Sequence, residues 1–332
     1  MVSTNIARRS LGGEQSMATA VSYSRVTVTS PRLPGAGLAN FFALRGRQIK
    51  EACGALWYSV PPRFLMALPY HQPLEPTAEG VQALLRSDGA FGVRFQSQQW
   101  PGMPGGVYVY RGRGYGLKLV HIKHRPRVRK GLETFEIRRV EEDDLLIQGL
   151  QLNRETMARQ GHYDPEFGEG SLWTRFVRAM RDCPEIGAIG AFDGRRLGAY
   201  MITCREDGWL NILHQMSRQD DLKSFPNHAL TYWVTKAASE DSSLEGVSYG
   251  VMPLVLIEGL HEYKLRFGYQ VLPRTCVVVF RSRMDLLLNN RLVRGGVQLL
   301  RHLRPEDQRL EMVETILRGA AFSSRGRVNG NS

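Results

Sequence analysis

Cysteine is scarce. Only Cys53, Cys183, Cys204 and Cys276 occur in 332 residues, far apart and with no C-x-x-C pair. That spacing argues against a disulfide framework or a zinc site and fits reduced, buried thiols. Long apolar runs are missing as well. The longest candidate, Cys276-Val277-Val278-Val279-Phe280, is strand-sized, far short of the ~20 residues that span a bilayer. Arg8 and Arg9 have no apolar segment behind them, so no secretory signal is expected and the chain should stay in the cytoplasm. There is no G-x-S-x-G, H-E-x-x-H or Walker motif. His121-x-x-His124 lacks a third ligand at useful spacing, so no metal is expected. Gly112-Arg113-Gly114-Tyr115-Gly116 falls between two expected strands with no helix after it, which reads as a hairpin turn rather than a phosphate loop.

Charge is plentiful but unevenly placed. The net charge is +12, yet residues 140–280 carry −6, while residues 1–110, 111–139 and 281–332 carry +5, +8 and +5. A groove for a nucleic-acid backbone carries its own positive charge, so the largest expected domain is not a DNA-binding one. Any tRNA contact would fall to the basic junction or an appendage. With 42% apolar residues, the chain has the material for a sizeable core and the length for two domains.

Residues 1–38 are rich in Ser, Thr, Arg, Gly and Pro and read as a disordered tail. A smaller α/β domain is expected over 39–132. It has a short helix within Phe41–Gly54, strands at Trp57–Val60, Phe91–Phe95, Val107–Arg111 and Tyr115–Ile122, and a helix around Gly80–Leu85. The basic stretch His124–Gly131 reads as a helix after Pro126. A second domain over 133–283 begins with a strand at Thr134–Val140 and helices at Glu141–Gln160 and Gly170–Asp182. Three strands joined by Asp193-Gly194 and Asp207-Gly208 follow, and Asp-Gly between alternating runs is a strong hairpin signal. A helix opens at Pro226-Asn227, then come strand Val247–Val251, helix Ile257–Phe267 and strand Val271–Phe280. Residues 284–320 read as C-terminal helices, weakened by Gly295-Gly296, and 321–332 as a disordered tail. The stretch from Arg283 to Leu303 has the pattern of a basic amphipathic helix, packed on the domain or, alternatively, lying on an anionic membrane.

The order strand, helix, helix, three antiparallel strands, helix, strand, helix, strand resembles the GNAT acyltransferases. Three motifs narrow the resemblance to their Fem-like branch, in which a degenerate GNAT-like domain precedes the working one. They are the junction Arg125-Pro126-Arg127-Val128-Arg129-Lys130-Gly131-Leu132, the helix opening Pro226-Asn227-His228-Ala229-Leu230, and Tyr263-Lys264-Leu265-Arg266-Phe267-Gly268-Tyr269. The resemblance implies an α/β fold and an N-acyltransferase moving an acyl group other than an aminoacyl group. Its donor would be acyl-coenzyme A, and its acceptor an amine on a small or saccharide-linked molecule. The alternatives are a Fem-type ligase using aminoacyl-tRNA, or a degenerate acyltransferase that only binds. Lys264 is the implied catalytic cation, Tyr263 the leaving-group acid, and Tyr249 and His214 further catalytic candidates. Asn227, as helix N-cap, His228 and Lys223 would meet the donor, and Arg129 and Lys130 a phosphate-bearing substrate. One departure stands out: Ser217-Arg218-Gln219-Asp220-Asp221-Leu222 has none of the glycines that ordinary GNAT enzymes place around a pyrophosphate.

Overall fold

Asp207 and Gly208 both adopt positive φ, 51° and 74°, as a two-residue type I′ hairpin requires. They join two of the longest strands of the computed structural model, which describes residues 33–61, 63–161, 163–288, 290–303 and 308–329. Residues 1–32, most of the expected N-terminal tail, lie outside the described residues.

The elements run as follows. Helix α1 (Ala36–Leu44) leads into the meander β1 (Ile49–Ala52), β2 (Ala55–Val60) and β3 (Phe64–Leu68). Next are α2 (Ala78–Asp88), β4 (Gly92–Ser97) and β5 (Met103–Tyr110). The basic junction is α3 (Arg125–Thr134), followed by β6 (Glu136–Arg139). Helices α4 (Glu142–Asp144) and α5 (Leu150–Gln160) are joined by one π-helical turn (Leu145–Gly149) and followed by α6 (Pro165–Gly168) and α7 (Gly170–Arg181). A second meander is β7 (Ile186–Asp193), β8 (Arg196–Glu206) and β9 (Trp209–Ser217). Then come α8 (Pro226–Glu240), β10 (Gly246–Val251), α9 (Glu258–Arg266) and β11 (Gln270–Phe280). Helices α10 (Ser282–Leu288), α11 (Arg291–Leu303) and α12 (Gln308–Asn329) close the chain.

Among the described residues all eleven strands join one sheet, ordered β1-β2-β3-β4-β11-β5-β10-β9-β8-β7-β6. Apart from the edge strand β6, the order is symmetric about the β11–β5 seam. Each half has a three-stranded antiparallel meander, a helix and a fourth strand parallel to the third. The last strand of each half then crosses over: β11 pairs with β4, and β5 pairs with β10. The described chain from Leu33 onward is a single unit, and the seam expected at residue 132 runs through a shared sheet.

Strand alternation sets the layers. On β8, Tyr200 and Ile202 join one core with Trp173, Phe176 and Leu38 from α7 and α1. Ala199 and Met201 point the other way, into a core with Leu230, Val234 and Phe267 from α8 and its surroundings.

Several local expectations change. The sequence reads helix through Phe41–Gly54, but α1 ends at Leu44 and β1 pairs with β2. Tyr115–Ile122 is coil. Its alternation reflects burial of Tyr115 and Val120 without a ladder, and the Tyr115 N–H bonds to Ser239 Oγ at 3.1 Å instead. Helix α11 runs unbroken through Gly295-Gly296, and α12 continues to Asn329, past residue 321 where a tail was expected to begin. Among the described residues no helix is long and apolar enough to cross a membrane.

Candidate active site

Strands β9 and β10 run side by side for three residue pairs, Gly246–Trp209, Val247–Leu210 and Ser248–Asn211, and then part. Each carries a bulge where they separate. On β9, Ile202 pairs with His214 and Thr203 with Ile212, so Leu213 is the extra residue. On β10 the register against β5 slips between Ser248 and Val251, with Gly250 at φ 76°, a conformation glycine adopts without strain. Bulges bend a strand and re-aim its side chains. The parted strands, the first turn of α8 and one face of α9 enclose a cleft of about 660 Å³, a size usual for small-molecule sites.

Six of the nine expected site residues meet there: His214, Asn227, His228, Tyr249, Tyr263 and Lys264. Lys264 is 6% exposed. Its Nζ donates to the Tyr249 carbonyl at 2.7 Å and lies 4.3 and 4.7 Å from the ring centres of Tyr108 and Tyr249. Among the described residues no carboxylate pairs with it. Burial pushes its pKa down to about 8, because two aromatic faces and one carbonyl replace only part of the lost hydration. The result is a buried amine poised between cation and base.

The two tyrosines differ. The Tyr263 hydroxyl donates to the Asn227 carbonyl at 3.0 Å and lies 2.9 Å from Thr231 Oγ. Burial raises its pKa well above the ordinary value. It braces α9 against α8. The Tyr249 hydroxyl donates to Gln215 Oε1, with its pKa pushed up to about 12 by burial. Gln215 Nε2 in turn donates to the Asn227 carbonyl at 3.1 Å. Gln215 escaped the sequence reading because strict alternation puts it on the face opposite His214. It does sit on that face, turned to Asn227 and Thr231 while His214 packs on Phe167, and both line the cleft because β9 borders it where β10 parts from it.

Asn227 is not the N-cap. Phe225 caps α8 with φ 60°, Pro226 takes the first turn, and the Asn227 amide donates to Ser217 Oγ at 3.1 Å. His214 packs 4.5 Å from Phe167 and 6.0 Å from Phe176. Burial, then the Arg45 charge, lowers its pKa to about 3, so it is a neutral ring and a weak base. His228 stacks on buried His124 at 4.9 Å. Burial lowers the two to about 3 and about 4.

Lys223, Arg129 and Lys130 do not line the cleft. Lys130 Nζ donates to the Lys223 carbonyl at 3.0 Å and, with Arg127, lies over the ring of Phe225 at 5.6 and 5.5 Å. Phe225 itself lines the cleft, so these cations form part of a basic rim. Arg129 is exposed on α3. The turn before α8 is filled by its own side chains. Asp221 turns inward to pair with Arg196. Buried Arg218 donates to the Leu197 carbonyl at 3.2 Å and lies 3.9 Å from Glu155. Gly198 allows this packing, since a Cβ there would meet Asp221 Oδ2 at 3.0 Å. A pyrophosphate does not fit this turn as it does a glycine-lined one. Among the described residues no group of His, Cys, Asp and Glu is arranged to hold a metal ion.

The same architecture occurs in solved structures. FemX aligns with a TM-score of 0.50 at 11% identity, over 71% of this chain and 88% of that one. The C-terminal domain of a putative lysylphosphatidylglycerol synthetase from Agrobacterium fabrum aligns at 0.52 and 12%, over 76% and 89%. The fold is GNAT-like and is shared with these two structures. At these identities the likeness is one of fold. No protein-family model and no curated protein matches the sequence.

Proposed function

We propose that the chain is an acyltransferase that moves an acyl group from an activated, phosphate-bearing carrier to an amine in the β9–β10 cleft. The observation that carries this reading is Lys264, a buried amine with no counter-ion among the described residues, where two bulged strands part. Attack of an amine on an acyl carbonyl places negative charge on the carbonyl oxygen. An ammonium held in a dry site stabilises that charge more than it stabilises the ground state. The Tyr249 hydroxyl, tied to Gln215, is the group placed to donate a proton to the leaving atom.

An acyl-coenzyme A thioester is the first donor to test, with its phosphates on the rim formed by Arg127, Lys130 and Lys223. The filled turn at 217–225 favours a second reading, in which the donor is aminoacyl-tRNA and the same rim meets its backbone. Fold likeness to FemX and to a lysylphosphatidylglycerol synthetase domain supports that second reading.

A melting-temperature screen separates them, since a ligand that binds the native state raises the midpoint. Acyl-coenzyme A is expected to raise it, and free thiol should then appear when amines are added. A shift with charged tRNA alone would replace the first donor by the second. If neither shifts the midpoint and no amine is acylated, the enzymatic reading fails.

A further inference from the structure

The first half of the sheet has its own counterpart of the active cleft. Strands β3 and β4 are parallel through Phe64–Gly92, Leu65–Val93 and Met66–Arg94 and then separate, as β9 and β10 do. The space between them has shrunk to about 20 Å³, lined by Met66, Tyr70, Gln72, Arg94, Gln96 and Val251 among others. Val251 also lines the main cleft, so the two spaces meet at one residue.

A cleft that had simply lost its ligand would be expected to close over apolar side chains. This one keeps polar groups without partners. Arg94 is half-buried; its Nε donates to Cys276 Sγ at 3.2 Å, while its Nη2 is buried and has no hydrogen-bond partner among the described residues. Among the described residues no carboxylate pairs with its guanidinium. Gln96 is buried, and its Oε1 also lacks a partner. Tyr70 is already committed, donating to the Tyr58 hydroxyl at 2.8 Å. A guanidinium N–H withdrawn from water without an acceptor is costly, and a planar fork of donors matches a carboxylate. The volume leaves room for roughly one small group. That admits a carboxylate and excludes a nucleotide or a sugar phosphate.

We infer that the acceptor carries a carboxylate, which Arg94 binds in this small cavity while the reacting amine lies beyond Val251 in the main cleft. Gln96 Oε1 takes an N–H or O–H from the same part of the molecule. The acceptor class is thus an amino acid or a peptide-like amine. The word acceptor rests on the proposed acyl transfer, but the carboxylate site itself does not.

N-acetylglycine tests the site without relying on turnover, because it has a carboxylate and an amide N–H but no amine to acylate. At millimolar concentration and fixed ionic strength it should raise the melting temperature of the full chain, and N-acetylglycinamide should not. Arg94→Gln should weaken N-acetylglycine binding at least tenfold, and Arg94→Lys, which keeps the charge but loses the fork, should bind at an intermediate level. If Arg94→Gln fails to fold by circular dichroism, Arg94→Lys alone decides. Equal responses to acid and amide, no response to the acid, or undiminished binding in the Arg94 variants would overturn the inference. Binding that behaves as expected in a protein that acylates no amine would leave the carboxylate site standing and remove the proposed transfer reaction.

Discussion

Lys264 Nζ and the carbonyl of Tyr249, 2.7 Å apart, tie the buried face of α9 to the end of β10 at the point where the sheet opens. The ammonium has this one acceptor and two tyrosine faces, with no acid among its described neighbours. Lys264→Met should lower turnover roughly 10²-fold or more without lowering the melting temperature at pH 7, because the variant no longer buries a charge. A fully active Lys264→Met would remove Lys264 from the site.

The same lysine makes a prediction about pH. Its pKa is about 8 in the folded chain and near the ordinary 10.5 when unfolded. Between those values the unfolded state holds a proton that the native state has released, so stability rises with pH across that window. Relative to Lys264→Met, the unaltered protein should gain up to about 3 kcal/mol between pH 7 and 10.5. Parallel stability curves for the two proteins would show that this amine titrates normally.

Tyr249 and Tyr263 should respond differently to loss of the hydroxyl. Tyr263→Phe removes one of two side-chain donors to the Asn227 carbonyl, and Gln215 remains as the other. It should cost ~1 kcal/mol of stability and leave turnover within a few-fold. Tyr249→Phe leaves Gln215 Oε1 without its donor and removes the proposed acid, so turnover should fall roughly 10²-fold. Steady-state rates of the two variants decide, and the opposite ranking would exchange their roles.

Gly131 sets how closely α3 lies on α8. A Cβ there would meet the Phe225 carbonyl at 2.7 Å and Ala229 Cβ at 2.9 Å. Gly131→Ala should therefore push the basic rim away from the cleft, lowering stability by ~1–3 kcal/mol and raising the KM for the donor more than it lowers kcat. An unchanged donor KM would separate the rim from donor binding.

The last helix is structural. Leu317, Ala320 and Ser323 are buried, and a Cβ at Gly319 would meet Met103 Cε at 2.6 Å and Val278 Cγ2 at 3.4 Å. A chain ending before Gln308 uncovers Val278 and Phe280 of β11. It should melt several degrees lower and aggregate on heating. Light scattering during a melt checks this, and an unchanged profile would make α12 dispensable.

Local chemistry made much of this molecule legible. The Asp207-Gly208 turn, the opening of α8 at Pro226 and the Gly268 stop after α9 are all written in a few adjacent residues, and the structure has them there. The resemblance also brought six candidate residues to one cleft. What escaped was nonlocal. The pairing of Cys276 with Gln96 joins residues that no short window contains. Tyr115–Ile122 alternates like a strand because Tyr115 and Val120 are buried, yet β5, the strand it follows, already has β11 and β10 on its two sides. Arg94 gave no sign either, since a lone arginine on an expected strand looks solvated until its neighbours are known.

The exchange of β5 and β11 sets a constraint on birth as well as on shape. A ribosome delivers β4 and β5 long before β11, the strand that lies between them. Until residue 280 has emerged, the sheet stands open at its middle, with the backbone donors and acceptors of two strands unpaired. Such edges recruit other chains. Expression of this protein should therefore depend on how quickly its last fifth is made, and strand β11 supplied in trans should close the gap left in a chain truncated before Gln270.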